Sequence, residues 1–328
     1  MPNTAAESVH VVVGVVCEGE RVLIAQRPVA AHQGGKWEFP GGKIMRGEAT
    51  RDALARELVE EIGIRVHAAD PLIQVRHVYP DKTVFLDVWR VTQFEGRARG
   101  REGQPVAWMR PDELTNLEMP AANRPIVQAL RLPSLYLITD SQRFGPNTLT
   151  QALERALTAG VRLVQLREPR VSERDYLALA ARVADLCHQH GARLLVNGKP
   201  QWVAQCGADG VHLNSQQLRS FKSRPLGLEQ WVAASTHDAK ELALAAHIDA
   251  DFVVLSPVLR TSSHPHATPL GWPRFQALCV STNLPVYALG GMRKEHLQQA
   301  RAAGAQGLAM ISGIWGARQV EVAVAAFV

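Results

Sequence analysis

The sequence predicts two α/β-class domains in one chain: an α+β domain with a mixed sheet over residues 1–130, and a closed parallel (β/α)8 barrel over residues 135–328. Residues 131–134, RLPS, read as the linker. Three observations predict this. The chain has 328 residues, more than one hydrophobic core usually organises. Strand and helix patterns come in mixed order up to residue 130. From residue 135, eight short apolar strands alternate with helical stretches, the arithmetic of a parallel barrel.

In the first segment VHVVVGVV and RVLIAQR read as strands, because they are β-branched runs bounded by turn residues. Residues 48–62 read as one amphipathic helix. IQVRHVY, VFLDVWRV and AWM read as further strands, and MPAANRPIVQAL as a loop entering a short helix. In the second segment the strands are LYLITD, LVQLRE, RLLVNG, GVHLN, WVAAST, FVVLSPV, VYALGG and GLAMISG, and VEVAVAAFV supplies a last helix. An open doubly wound sheet is the competing arrangement, but eight complete units favour closure.

Composition bounds the function. A hydrophobic content of 46% and a charged content of 20% describe a globular chain, not a disordered one. The net charge of +5 suits an anionic small molecule and is too diffuse to imply stable nucleic-acid binding. The densest basic run, Arg97, Arg99 and Arg101, reads as a solvated loop. Cys17, Cys187, Cys206 and Cys279 form no CxxC pair, so neither a zinc site nor a disulfide framework is suggested. With no signal-peptide grammar and no apolar run of membrane length, the expectation is a cytoplasmic protein without membrane contact.

On a helix, Glu57, Glu60 and Glu61 of RELVEEIGI share one stripe and repel. The longer stretch has Gly42, five residues, Glu48, seven residues, Arg56-Glu57, then Glu60-Glu61, Gly63 and Ile64. Crowded hard oxygens after a glycine loop suit Mg²⁺, with Mn²⁺ as the alternative, shared with substrate phosphates. This is the complete Nudix box, and residues 9–130 closely resemble the MutT branch of that family, which hydrolyses 8-oxo-dGTP to 8-oxo-dGMP and pyrophosphate. The matching pieces are VGVV, Arg27 of AQR, WEFPGGK, REGQPVAWM and PAAN. The resemblance implies that Glu57, Glu60 and Glu61 bind metal with the Gly41 carbonyl, and that Glu102 binds metal or acts as base. It also implies that Asn123 reads the base edge, Phe39 lines the purine pocket and Arg27 contacts the nucleotide. Other readings stand beside these: Phe39 as ordinary core, Asn123 as a helix N-cap, Tyr79 as an edge-strand aromatic, and Arg56 as the salt-bridge partner of the glutamates.

The second segment resembles thiamin phosphate synthase and the related thiazole tautomerase over nearly its whole length. Gln165, Arg167, Asn197, His212, Ser235, His237 and Thr261 fall at strand C-terminal ends, where such barrels carry their sites. Gly290-Gly291 and Ser312-Gly313 would offer N–H groups to a phosphate. The departures are Gly198 and Gln217 at the positions of the two metal aspartates, and Pro169 and His264 at those of two lysines. Without them a pyrophosphate leaving group loses its charge stabilisation, so no ordinary synthase activity is expected. Three readings remain for the barrel: a phosphate-ligand binding module, a tautomerase-like enzyme using His237 as acid/base, or a structural appendage. His264 and His266 read as loop residues, not metal ligands.

Together these features predict a Mg²⁺-dependent 8-oxo-dGTP diphosphatase that cleans the nucleotide pool and so serves replication fidelity and DNA repair. Its rivals are hydrolysis of a thiamin-pathway pyrophosphate and a non-enzymatic nucleotide or thiamin-phosphate sensor.

Overall fold

The computed structural model describes residues 7–29, 33–140, 146–261 and 266–327. The chain divides into two compact units, residues 1–131 and 132–328. Position 264 lies outside the described residues.

The first unit is a mixed sheet. Its strands are β1 (Glu7–Glu18), β2 (Arg21–Gln26), β3 (Trp37–Glu38), β4 (Gly41–Lys43), β5 (Arg65–Val78), β6 (Lys82–Glu95) and β7 (Val106–Met109). The spatial order is β3-β2-β1-β6-β5, with β4 paired to β1 and β7 to β2. β1 and β6 run parallel and the other pairs antiparallel. β5 begins well before IQVRHVY. Register shifts on either side of Ala68 and between Pro71 and Ile73 let the ladder continue past residues that read as strand breakers.

Helix α1 (Thr50–Ile62) starts two residues later than the sequence pattern suggests, because Glu48 is used in the preceding turn, where it accepts the Met45 N–H at 2.9 Å. Leu54, Leu58 and Ile62, at i, i+4 and i+8, are buried against the sheet. Gly14 of β1 makes this approach fit: a Cβ there would lie 2.7 Å from Leu58 Cδ1. Gly63 ends α1 in the left-handed conformation, φ 75°, with its N–H donating to the Leu58 carbonyl. The unit closes with α2 (Arg124–Leu130).

The second unit is a closed parallel barrel. Its strands are β8 (Leu135–Ile138), β9 (Leu163–Leu166), β10 (Arg193–Asn197), β11 (Gly210–Leu213), β12 (Trp231–Thr236), β13 (Phe252–Leu255), β14 (Val286–Ala288) and β15 (Gly307–Met310), and β15 pairs back to β8. The helices between them are α3 (Pro146–Thr158), α4 (Glu173–Gln189), α5 (Trp202–Cys206), α6 (Ser215–Leu218), α7 (Ala239–His247), α8 (Gly271–Val280) and α9 (Leu297–Ala302). α10 (Ser312–Trp315) and α11 (Val320–Val324) follow the last strand. Tyr136, Phe252 and Tyr287 fill the barrel interior, with neighbouring ring centroids 5.2–5.6 Å apart. The strands' other faces pack against the helices in a second, larger cluster. Each strand is buried on both sides, which is why it reads as a continuous apolar run. Among the described residues no helix is long and apolar enough to cross a membrane.

Candidate functional site

In the first unit the charged stripe meets a cation from its own helix. Arg56 donates from Nε and Nη2 to the two oxygens of Glu48, both at 2.9 Å, from Nη1 to Glu57 at 2.7 Å, and to Glu60 at 3.3 Å. This pairing holds the Glu48 carboxyl down at about 2. Glu61 is treated differently. Its carboxylate accepts the Gly41 N–H at 2.8 Å, yet its pKa is pushed up to about 7 by burial, with the negative charges of Glu38 and Glu102 adding to the effect. Among the described residues no three carboxylate, histidine or cysteine groups converge on one point. Arg56 gathers Glu48, Glu57 and Glu60, while the Gly41 N–H holds Glu61 one turn along from Glu57. The donor set nevertheless fits a hard divalent cation: it is all oxygen, and the raised pKa of Glu61 marks negative charge that the protein's own groups leave undercompensated.

Glycine is required at the loop that joins this helix to the neighbouring cavity. A Cβ on Gly42 would lie 2.2 Å from Glu57 Oε2, and one on Gly41, at φ 151°, would lie 2.1 Å from the Val12 carbonyl oxygen. The same two glycines help line a cavity of about 290 Å³ that also brings together Arg27, Glu38, Phe39, Tyr79 and Asn123. Phe39 belongs to the core cluster as well, so the two readings of it are compatible. Asn123 is 7% exposed and stands at the N-cap position of α2, but its side chain makes no capping bond. The cap reading is corrected here: its backbone is already helical, φ −84° and ψ −16°, where the capping geometry is lost. Tyr79, one residue past β5, also faces this cavity and is not merely an edge aromatic. Glu102 sits on an exposed loop whose Gln104 donates to the Glu61 carbonyl at 3.1 Å.

Sequence reasoning passed over Glu38. Its carboxylate is ion-paired with Arg27, and burial raises its pKa despite that pairing. The signal was a charged residue between Trp37 and Phe39 in an otherwise apolar run.

In the barrel, a cavity of about 450 Å³ at the strand C-terminal ends brings together Gln165, Arg167, Asn197, His212, Ser235, His237, Thr261 and Gly290. Gly291 and Ser312 do not line it. Gly291 packs against the Arg260 carbonyl, and Ser312 lines a separate groove of about 550 Å³ with Arg293, Lys294 and Arg318. Behind the cavity runs a buried chain of hydrogen bonds. Gln165 Nε2 donates to the Tyr136 hydroxyl at 3.1 Å, which lies 3.1 Å from His212 Nδ1, and His212 Nε2 lies 2.9 Å from Ser235 Oγ. Because the tyrosine oxygen accepts from Gln165, its proton goes to Nδ1. Nε2 therefore carries the imidazole hydrogen and donates to Ser235, whose own proton is left for the cavity. His212 is 1% exposed, and burial, with Arg167 nearby, drives its pKa down to about 3, so the relay is neutral.

The corner where the resemblance expects metal aspartates is built from other groups. Gln217 Nε2 donates to the Gly198 carbonyl at 2.9 Å, so the two replacing residues bond to each other. A Cβ on Gly198 would lie 2.2 Å from Trp202 Cζ3. Trp202 is fixed by its indole N–H, which donates to Glu173 at 2.8 Å.

A family model described as thiamine monophosphate synthase matches residues 135–314. The chain belongs to that family. The amino-terminal unit of this thiamine monophosphate synthase family member is a Nudix domain, matched by the Nudix model over residues 11–129, and such domains are hydrolases of phosphoric anhydrides. Among curated relatives, a thiamine-phosphate synthase of Albidiferax ferrireducens is 33% identical over 199 residues, 60% of this chain and 90% of its own. An Aquifex aeolicus protein provisionally named thiamine-phosphate synthase 2 is 38% identical over 183 residues, 56% of this chain and 98% of its own. A solved thiamine phosphate pyrophosphorylase from Pyrococcus furiosus shares the barrel fold, with a TM-score of 0.51 and 22% identity over 59% of this chain and 93% of that one. A solved MutT, from work on the Aliivibrio salmonicida and Vibrio cholerae proteins, is 36% identical over 38% of this chain and 97% of that one, with a TM-score of 0.34.

Proposed function

We propose that the amino-terminal unit hydrolyses 8-oxo-dGTP to 8-oxo-dGMP and pyrophosphate in the cytoplasm, and that the barrel is a ligand-binding partner domain without synthase activity. The observation that carries the first half is the direct connection between the two halves of the site. The cavity holding Phe39 and Asn123 shares its Gly41-Gly42 wall with the carboxylate helix.

Asn123 presents an amide donor and acceptor side by side, the pattern that a purine edge requires. Phe39 supplies an apolar wall, and Glu38 holds Arg27 in place beside the nucleotide. Glu57, Glu60 and Glu61, with Glu102 and the Gly41 carbonyl, would hold Mg²⁺ or Mn²⁺. Such an ion neutralises the triphosphate and sharpens water as a nucleophile. Glu102 or one of the helix glutamates would take the proton from the attacking water.

The barrel keeps a cavity of small-ligand size, but its charge-bearing corner is occupied by Trp202 and the Gln217–Gly198 hydrogen bond. Gln165, Arg167, Asn197, Ser235, His237 and Thr261 would contact the ligand, with Gly290 beside them, whereas Gly291 and Ser312 lie outside this cavity and drop out of the contact set.

The test is steady-state kcat/KM with Mg²⁺ on 8-oxo-dGTP, dGTP, hydroxymethylpyrimidine pyrophosphate and thiamin pyrophosphate. The expected result is a preference of about a hundredfold for 8-oxo-dGTP over dGTP, within what a few pocket contacts can supply. Glu57→Gln should lose most turnover, and Asn123→Ala should erode the preference. A preference for the thiamin-related compounds would favour a second reading, rooted in the barrel's family, in which the Nudix unit serves that pathway.

A further inference from the structure

We propose that Gln104 is the positioning residue of Glu102: its side chain ties the loop that carries this carboxylate to the last turn of α1, so that Glu102 joins Glu61 in holding the divalent cation. The loop follows β6 and lies along the end of the helix. Its Arg99 N–H donates to the Ile62 carbonyl at 3.0 Å, and its Arg101 N–H to the Glu61 carbonyl at 2.9 Å. Gln104 uses both ends of its amide. Nε2 donates to the Glu61 carbonyl at 3.1 Å, and Oε1 accepts the Glu102 N–H at 2.9 Å. One planar group therefore bridges the main chain of two glutamates that lie far apart in sequence.

The base of this bridge is fixed by the sheet. The Pro105 carbonyl accepts the Gln26 N–H at 2.9 Å, and β7 begins one residue later. Between Glu102 and Gln104 the chain turns at Gly103, in the left-handed conformation at φ 82°, which an L side chain would strain. Gly100 lets the loop close on itself, since a Cβ there would lie 1.9 Å from the Gln104 carbonyl oxygen.

Capping of the helix does not account for the arrangement. The Glu61 carbonyl is one of those that the end of α1 leaves without an intrahelical partner, and the Arg101 N–H already satisfies it. The Glu102 N–H belongs to an exposed residue, where water would serve it equally well. What the amide adds is a fixed relation between the two glutamates. The Glu102 carboxylate is near enough for its negative charge to act on that of Glu61, and two like charges kept together favour a cation between them. A glutamate on an untied loop would lose conformational freedom on binding the ion. Gln104 removes part of that cost in advance.

The proposal rests on the reading of this unit as a metal-dependent hydrolase, and its test separates the two. Mn²⁺ binding to the full chain would be measured from the EPR signal of the free ion, for the wild type, Gln104→Met, Glu102→Gln and the double variant. Methionine keeps the length of the side chain and loses both bonds. Each single variant is expected to weaken binding about tenfold, and the double variant to weaken it no further, because the two residues act as one unit. If either single variant binds Mn²⁺ as the wild type does, or if Gln104→Met costs as much in the Glu102→Gln background as alone, the glutamine is only a helix cap. The proposal is then overturned while the metal reading stands. If the wild type binds no Mn²⁺, the metal reading falls and the proposal falls with it. Should Gln104→Met fail to fold, Gln104→Asn, too short to span both bonds, takes its place in the same comparison.

Discussion

A Cβ on Gly42 would lie 2.2 Å from Glu57 Oε2, the far end of a side chain that can swing away. Gly42→Ala should therefore spare the fold and displace the carboxylate. The expectation is a fall of about tenfold or more in hydrolysis, since misplacing a catalytic group by an ångström costs that much or more, with the thermal midpoint little changed. Calorimetry and initial rates on one sample check both halves. At this scale the sequence was most legible where chemistry restricts residue choice: the glutamates, the paired glycines and Arg56. It was least legible where a role depends on a partner distant in sequence. Glu38 needs Arg27, Gln104 needs Glu61, and Tyr136 needs Gln165 and His212, and no spacing rule announces these pairs.

The elements were legible for a related reason. The barrel strands announce themselves because burial on both faces leaves only apolar residues, and α1 does so because its apolar stripe and carboxylate stripe have the same period. β5 was underread because its ladder passes Pro71 through register shifts that only its pairing with β6 reveals. α1 depends on Leu58, which is fully buried beneath Gly14. Leu58→Ala should cost about 2–5 kcal/mol, measurable by urea unfolding, and should lower hydrolysis by loosening the helix that carries the carboxylates. In the barrel, Gly198→Asp should destabilise by its contact with Trp202, whereas Gly198→Asp combined with Trp202→Ala should recover part of the loss. A pair of thermal midpoints tests this: equal losses in the single and double variants would show that Trp202 does not set the space.

The molecule joins two units with separate cores, and their buried titratable groups respond to pH in opposite directions. Glu61 is raised from 4.5 to about 7, so its contribution to the first unit's stability is complete below pH 4.5 and is lost as pH rises through 7. His212 is lowered from 6.5 to about 3, so its contribution to the barrel is complete above pH 6.5 and is lost as pH falls towards 3. Between pH 7.5 and 4.5 the first unit should gain stability while the barrel loses it. Hydrogen exchange of core amides in each unit would show the two trends crossing, and saturating Mg²⁺ should flatten the first by stabilising ionised Glu61. Two-domain organisation itself was plain from the change in pattern near residue 131, because a parallel barrel imposes a rhythm that the mixed sheet does not.

The Gln217–Gly198 hydrogen bond has a consequence for how the protein senses its surroundings. On the proposed reading, an amide closing the corner where the resemblance expects a cation would free the barrel from any demand for one. A fall in free magnesium would then idle the hydrolase while the barrel kept its ligand, so one polypeptide would answer to the ion supply at one end and ignore it at the other.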